Sequence, residues 1–88
     1  MEKDIELILI NISGEDRPGL TSALTEILAK YEANILDIGQ ADIHHTLSLG
    51  ILFKTNSGRS GDIMKELLFK ASELNVTIKF TPISVDDY

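Results

Sequence analysis

The chain has 88 residues, of which 43% are hydrophobic and 25% are charged, so it is long enough for one globular core and too short for two. Its eight basic and fourteen acidic residues give a net charge of -6, which disfavours nucleic acid or an anionic membrane surface as a partner. The absence of cysteine excludes disulfides and thiolate metal sites.

The amino terminus carries acidic side chains and leads directly into a short apolar segment. It has neither the basic start and small-residue cleavage site of a signal peptide nor the roughly 20 consecutive apolar residues of a membrane span. We therefore expect a cytoplasmic protein that makes no contact with a membrane.

The first two elements are predicted to be a strand and a helix. Residues 5–12 form a run rich in β-branched side chains with apolar residues on both faces, which is typical of a central strand. The glycine-containing segment 14–19 is predicted to break this strand. Beyond it, apolar residues recur at helical spacing from Leu20 to Tyr31. Pro18 is expected in the first turn of this helix, where its missing N–H has no intrahelical partner.

Two further strands are predicted next. Residues 34–43 alternate between two faces and include polar groups and a glycine, which is typical of an exposed edge strand. Residues 44–46 are predicted to reverse the chain. Residues 47–54 place their large apolar side chains on one face, so this strand is expected to cover a core on one side only.

The last third of the chain predicts a helix and a strand. Residues 56–61 have the composition of a loop, with Ser60 as the N-cap of a helix that carries a regular apolar stripe. Asn75 is expected to end this helix in the left-handed conformation. Residues 76–81 alternate as the last strand, and Pro82 confines the end of that strand to a sheet edge.

The element order is therefore βαββαβ, and the fold class is α+β. Two amphipathic helices and one apolar sheet face are buried most economically when both helices pack on one face of a four-stranded antiparallel sheet. Right-handed crossovers place the first and third strands in the middle, so we expect a ferredoxin-like sandwich with strand order 4-1-3-2. The second strand, residues 34–44, is left at an exposed edge, through which we expect a homodimer to form.

The loop after the first strand carries a family resemblance. Segment 16–20, Asp-Arg-Pro-Gly-Leu, and segment 33–35, Ala-Asn-Ile, resemble the ACT family, whose members have Asp or Asn before x-Pro-Gly-Leu/Val and often Asn-Ile at the start of the second strand. The likeness extends over essentially the whole chain. It implies that residues 1–88 are a single regulatory domain that binds a free amino acid, dimerises, needs no cofactor and catalyses nothing alone.

Within this family, residues 34–40 and 80–83 are similar to the amino-terminal regulatory domain of SerB-type phosphoserine phosphatases. This narrower resemblance implies that the chain is the amino-terminal part of a longer hydrolase in L-serine biosynthesis, with serine or another small amino acid as its ligand. Two alternatives stay open, namely a freestanding ACT protein and a module that only assembles a catalytic partner.

The resemblance places the ligand at two segments of the chain. The amino terminus of the first helix offers backbone N–H groups to a carboxylate. Asp16 would either cap this helix or accept a hydrogen bond from the ligand ammonium, and Asn34 would either donate its amide across a dimer interface or favour a turn. The expected ligand-binding residues are Asp16, Arg17, Pro18, Gly19, Leu20, Asn34 and Ile35.

Two other kinds of site are weakly supported. His44 and His45 have no accompanying carboxylate cluster, so no metal site is predicted. An acylphosphatase-like enzyme would hold phosphate with Arg17 and Asn34, but Glu15 and Asp16 would place two carboxylates where the phosphate must lie.

Overall fold

The computed structural model describes residues 5–84. The elements follow the order βαββαβ, as the sequence predicts. The strands are β1 (Ile5–Glu15), β2 (Asn34–Ile43), β3 (Thr46–Asn56) and β4 (Thr77–Ile83), and the helices are α1 (Leu20–Lys30) and α2 (Ser57–Glu73).

The four strands form one antiparallel sheet in the order β2-β3-β1-β4. This order confirms the predicted α+β ferredoxin-like architecture, with β1 and β3 in the middle. β2 and β4 lie at the two edges, so within residues 5–84 each leaves one row of main-chain groups without a neighbouring strand.

One core lies between the sheet and the two helices. Alternate residues of β1 and β3 point into it, because side chains of a strand alternate between its two faces. Each helix buries one stripe at helical spacing. The buried residues of this core are Ile8, Ile10, Ile12, Leu20, Leu24, Ile27, Leu28, Leu47, Leu49, Ile51, Phe53, Ile63 and Leu67.

β1 is longer than the sequence predicts. The strand ends within segment 14–19, as predicted, but only after Glu15, and Gly14 is still paired opposite Leu47 in β3. The glycine serves packing: a Cβ built on it would lie 2.8 Å from Cγ1 of Val76. The chain entering β4 therefore approaches the β1 backbone more closely than any larger residue at position 14 would allow.

α2 begins earlier than predicted, at Ser57. Asn56 precedes the helix, and Ser60 lies inside its first turn, where its hydroxyl donates to the carbonyl oxygen of Ser57 over 3.1 Å. Small polar residues are tolerated there because the first N–H groups of a helix have no intrahelical partner. Asn75 has the predicted left-handed conformation, with φ 59°, and Pro82 lies in the edge strand β4, as expected.

A polar cluster ties the end of α1 to the middle of α2. The Tyr31 hydroxyl donates to Oε1 of Glu66 over 2.6 Å, and Nζ of Lys30 lies 2.9 Å from the same oxygen. The pKa of Glu66 is held below its ordinary value mainly by the hydrogen bond from Tyr31 and, to a smaller extent, by the hydrogen bond from Lys30. Because this cluster is accessible to water, it adds modestly to stability.

Replacing Tyr31 with phenylalanine should lower the Tm at neutral pH and lower it less in acid. A carboxyl whose pKa is depressed on folding adds stability above its unfolded pKa of about 4.3, and this stability is lost as the pH falls through the folded pKa. The Tm values of wild type and variant, measured from neutral pH down to about pH 3, should therefore converge at the acid end. In a Glu66→Gln background the effect of Tyr31→Phe should not depend on pH. A Tm difference in the wild-type background that stays constant with pH would contradict this role of Glu66.

Candidate functional site

The loop between β1 and α1 is a tight turn. The N–H of Leu20 donates to the carbonyl oxygen of Arg17 over 3.2 Å, and Gly19 has φ 82° and ψ -1°. With Pro18 before the glycine, this geometry is a type II turn. The expectation that Pro18 lies in the first helical turn is wrong, because α1 begins only at Leu20. Proline suits this position of the turn because its ring fixes φ near the required value.

The amino terminus of α1 is open to solvent. Its N-cap, Gly19, makes no side-chain capping hydrogen bond, and nothing lies within 4 Å of a Cβ built there. The alternative in which Asp16 caps the helix is therefore not realised. Arg17 and Pro18 are exposed, whereas the side chain of Leu20 is buried in the core. Any contact of Leu20 with a ligand must consequently be made by its main chain.

Asp16 lies beside the hairpin turn that joins β2 to β3. Its N–H donates to the carbonyl oxygen of His45 over 3.1 Å. The pKa of Asp16 is raised above its ordinary value. The largest cause is partial desolvation, and the charge of Asp42 and a hydrogen bond with the Asp42 carboxylate add to it. Two acidic side chains therefore share this end of the sheet, where they attract a cationic group.

A polar chain continues from this acidic pair toward α1. Nε2 of Gln40 donates to Asp42 over 3.4 Å, and the Thr21 hydroxyl donates to Oε1 of Gln40 over 3.1 Å. Gln40 and Asp42 lie two residues apart on β2, so they share one face. The predicted site did not include these residues, although the two-residue alternation of β2 was the signal that would have placed them together.

The second predicted segment lies where β2 begins. Asn34 is the first residue of β2 and is exposed, with Lys54 as its register partner in β3. The turn role considered for Asn34 is not realised, because the left-handed residue of this connection is Glu32, with φ 58°. Ile35 pairs with Phe53 and keeps 38% of its surface exposed.

A cavity of about 160 Å³ adjoins Asn34. Arg59 stands at its wall and donates from Nη1 to the carbonyl oxygen of Tyr31 over 2.9 Å and to Oε1 of Glu32 over 3.0 Å. Sequence patterns gave no signal for this cavity, because its walls come from three separate parts of the chain. Its lining residues are Ile5, Glu32, Asn34, Lys54, Thr55, Asn56 and Arg59.

The two predicted segments are far apart within one chain. Asn34 pairs with Lys54, whereas the opposite end of β2, Ile43, pairs with Thr46 beside the 16–20 loop. Eight residues of β3 separate these pairs, which is roughly 26 Å at about 3.3 Å per residue. A single chain therefore cannot bring Arg17 and Asn34 to one phosphate group, as the acylphosphatase-like alternative requires.

His44 and His45 form the tip of the β2–β3 hairpin. Both have positive φ, 51° and 65°, as both central residues of a type I′ turn do. Within residues 5–84 no group of three or more His, Cys, Asp or Glu side chains is arranged to hold a metal ion. Over the same residues, neither helix has the length and apolar character needed to cross a bilayer.

Comparison with known proteins supports the sequence resemblance. The ACT domain family model matches residues 6–81. Phosphoserine phosphatase SerB2 of Mycobacterium tuberculosis is 44% identical over 45 residues, which are 51% of this chain and only 11% of that protein. A UPF0237 protein of Pyrobaculum aerophilum is 26% identical over 86 residues, which are 96% of each chain.

A solved structure has the same fold. An ACT domain protein from Streptococcus pneumoniae superposes with a TM-score of 0.77 at 18% identity, over 94% of this chain and 96% of that one. At this identity the likeness concerns the arrangement of the elements and carries no information on a ligand.

Proposed function

Because the chain belongs to the ACT domain family, we propose that it is a regulatory domain that binds a small free amino acid between two copies of itself. The observation that carries the proposal is the position of the two polar segments at opposite ends of one free sheet edge, β2. A site of this kind is incomplete in one chain and is completed by a second copy.

A two-fold axis at the middle of β2 would unite the two segments. If two copies of β2 pair antiparallel about an axis at the Gly39 position, and the register irregularity between Ile35 and Asp37 takes up one residue, residue 34 of one copy lies opposite residue 43 of the other. Asn34 would then lie near the partner's Ile43 and the partner's 16–20 loop. The edge is suited to such pairing because no strand within residues 5–84 covers its outer side, and because Asp37 and Asp42 are its only charged residues.

Apolar side chains on β2 favour the same interface. Ile35, Ile38 and Ile43 are 38%, 46% and 73% exposed, which is unusual for three isoleucines in one strand. Pairing of two edges would remove part of this area from water at about 25 cal/mol per Å². It would also add main-chain hydrogen bonds between the two copies.

The chemistry of the joined ends suits a zwitterion. An amino acid needs acceptors for its ammonium group and donors for its carboxylate. The carboxylates of Asp16 and Asp42 are acceptors, and the amide of Asn34 supplies donors. We propose L-serine as the first candidate ligand.

Two protein contexts are proposed for this domain. The local similarity to SerB2 supports the first, in which the chain is the amino-terminal regulatory part of a phosphoserine phosphatase. The near-equal length of the UPF0237 relative supports the second, a freestanding ACT protein. In either context we propose that this chain regulates or assembles and does not itself catalyse.

Calorimetry with millimolar serine, glycine, alanine and phosphoserine tests the ligand proposal. We expect heat from at least one of the four, and a dimer stabilised by about 2.7 kcal/mol when the ligand is at a hundred times its Kd. Asp16→Ala and Asn34→Ala should each weaken binding. Asn11→Ala is the matched control, because Asn11 is exposed in β1 and lies outside both segments.

The outcomes separate the alternatives. If none of the four compounds gives heat or shifts the Tm, the ligand proposal fails and assembly alone remains. If binding survives both Asp16→Ala and Asn34→Ala, a ligand is bound elsewhere on the domain.

A further inference from the structure

The outer surface of α2 carries a second apolar stripe beside the buried one. Leu68 and Phe69 keep 51% and 69% of their surfaces exposed, although the large apolar side chains of a surface helix normally face the core. They line a groove of about 590 Å³ that Phe80 of β4 helps to form. The α2 residues of this groove are Gly61, Met64, Lys65, Leu68, Phe69 and Ser72. An exposed apolar groove of this kind is typical of a contact with another molecule.

Part of the groove has the spacing of a helix–helix contact. Intervals of four, three and four residues form one straight seam along a helix that packs against another helix. The residues of α2 with this spacing are Gly61, Lys65, Leu68 and Ser72. Met64 lies on the side of the seam next to β4, where it packs against the core. Phe69 lies on the other side and shares a smaller cavity with Tyr31 at the end of α1.

The seam is complementary to a second copy of itself. Its spacing reads the same in both directions, so two copies of α2 can pack antiparallel about a two-fold axis at the centre of the seam. Gly61 of one copy then lies opposite the partner's Ser72, and Lys65 lies opposite the partner's Leu68. A contact around a two-fold axis requires self-complementarity of this kind. Small residues face each other at both ends of the seam, which allows a short distance between the helix axes.

Gly61 is the seam residue that packing within one chain leaves unexplained. Glycine in the interior of a helix costs about 1 kcal/mol relative to alanine. No described residue packed against α2 comes within 4 Å of a Cβ built at position 61, in contrast to Gly14. A second helix that crosses α2 at this point supplies a reason for the glycine, because a missing side chain lets another backbone approach closely.

The one charged residue of the seam is compatible with this arrangement. Lys65 and Phe69 both line the smaller cavity beside Tyr31, so they lie on the same side of the seam. A two-fold axis keeps that side common to both copies, and Phe69 of one copy therefore comes beside the partner's Lys65. The apolar stem of the lysine covers the ring, while the ammonium group stays at the wet edge of the contact or over the ring face.

The area of the contact determines its strength. α2 has 17 residues, which span about 25 Å at 1.5 Å per residue. A strip of this length and about 10 Å wide covers on the order of 250 Å² of each copy, whereas a stable complex buries about 800 Å² per partner. The contact is therefore weak by itself, and it forms at high protein concentration.

We infer that the α2 groove binds the same groove of a second copy, with the two α2 helices antiparallel. This contact is separate from the proposed ligand site, because the groove adjoins β4 and the ligand proposal uses β2, at the opposite edge of the sheet. Each chain then has two different contacts with copies of itself. Dimers joined through β2 consequently associate further as the protein concentration rises.

Disulfide crosslinking tests this contact, because the chain has no cysteine of its own. Gly61→Cys and Ser72→Cys are prepared separately and oxidised alone and as an equimolar mixture, at roughly 0.5 mM because a contact of this size is weak. We expect the mixture to form a disulfide between unlike chains, since the two positions come within the roughly 7 Å that a disulfide spans between Cα atoms. Each variant alone should stay unlinked, because copies of one position lie about 16 Å apart along antiparallel helices.

Asp62→Cys mixed with Glu73→Cys is the matched control. Both residues are exposed and each lies one position further along α2, which turns them about 100° away from the seam. This mixture should stay unlinked. Phe69→Glu, added to both Gly61→Cys and Ser72→Cys, should lower the yield of linked dimer by about tenfold, as loss of an aromatic anchor does. The circular dichroism spectrum should not change, because Phe69 is exposed.

The other outcomes overturn the inference. The absence of a linked dimer in the Gly61→Cys and Ser72→Cys mixture would exclude the antiparallel contact, and linkage of Gly61→Cys alone would indicate a different alignment of the helices. Equal linkage of the Asp62→Cys and Glu73→Cys mixture would show random collision. An unchanged yield with Phe69→Glu would show that the groove is not the contact. None of these measurements involves a ligand, so a failure here leaves the proposed function standing.

Discussion

Gly14→Ala should destabilise the domain by about 1–3 kcal/mol, the usual cost of forcing extra atoms into a packed region. The added Cβ would lie 2.8 Å from Cγ1, 3.1 Å from Cβ and 3.3 Å from Cα of Val76. Only the first of these atoms can move by a side-chain adjustment, so the backbone before β4 must shift as well. Each kcal/mol corresponds to about 4–8 °C in Tm for a domain of this size, which thermal or urea unfolding can measure.

Two further variants make the Gly14 prediction specific. Gly61→Ala is the control, because nothing lies within 4 Å of a Cβ at that position and it is in α2. There alanine should leave stability unchanged or raise it by up to about 1 kcal/mol. The Gly14→Ala/Val76→Ala double variant should lose less stability than the sum of the losses of the two single variants, because the smaller residue at position 76 partly relieves the close contact. Additive losses would show that Val76 is not the cause.

Ile38→Pro should convert the proposed dimer to a monomer. The N–H of Ile38 donates to Oδ1 of Asp37 over 2.9 Å, a bond made outside the pairing of β2 with β3. Proline removes this donor from the middle of the free edge, and its ring obstructs a strand paired there. Sedimentation equilibrium at tens of micromolar protein should therefore show a dimer for wild type and a monomer for the variant.

Ile38→Ala is the matched control for the edge, because it shortens the side chain and keeps the main-chain donor. It should weaken the dimer without abolishing it. The circular dichroism spectrum of Ile38→Pro must match that of wild type. If the variant has lost its sheet, a monomer would show a folding defect and would not test the interface. A folded Ile38→Pro dimer would place the interface elsewhere, with the exposed Leu68 and Phe69 of α2 as the next surface to test.

Loss of the dimer should also remove ligand binding if both copies contribute to the site. Serine calorimetry on Ile38→Pro links the two proposals, because binding to a folded monomer would show that one chain suffices. The ligand would then be bound at only one end of β2, either beside Asn34 or beside Asp16, since roughly 26 Å separates the two ends in one chain.

The sequence by itself determined the elements and their order. Alternation along β3 and the helical stripes of α1 and α2 are local patterns whose periods differ, so they identify strand and helix without a structure. The free edge of β2 followed from chain order and the right-handed crossover rule. Pro18 is an exception, because the sequence placed it in the first turn of α1, whereas in the structure it belongs to the turn that precedes the helix.

Only the tertiary structure decided what lies beside what. Gly14 belongs to the segment predicted to break the strand, but the structure keeps it within β1, packed against Val76, which is distant in the sequence. Asp16 meets Asp42, and Asn34 meets Lys54, because the β2–β3 and β1–β3 registers bring those positions to the same sheet ends. The periodicity of the sequence cannot predict such pairs. It indicates the face on which a side chain lies, but it does not indicate which residue of another strand lies beside that side chain. The charged groups at each end of β2 therefore depend on the register of the folded sheet.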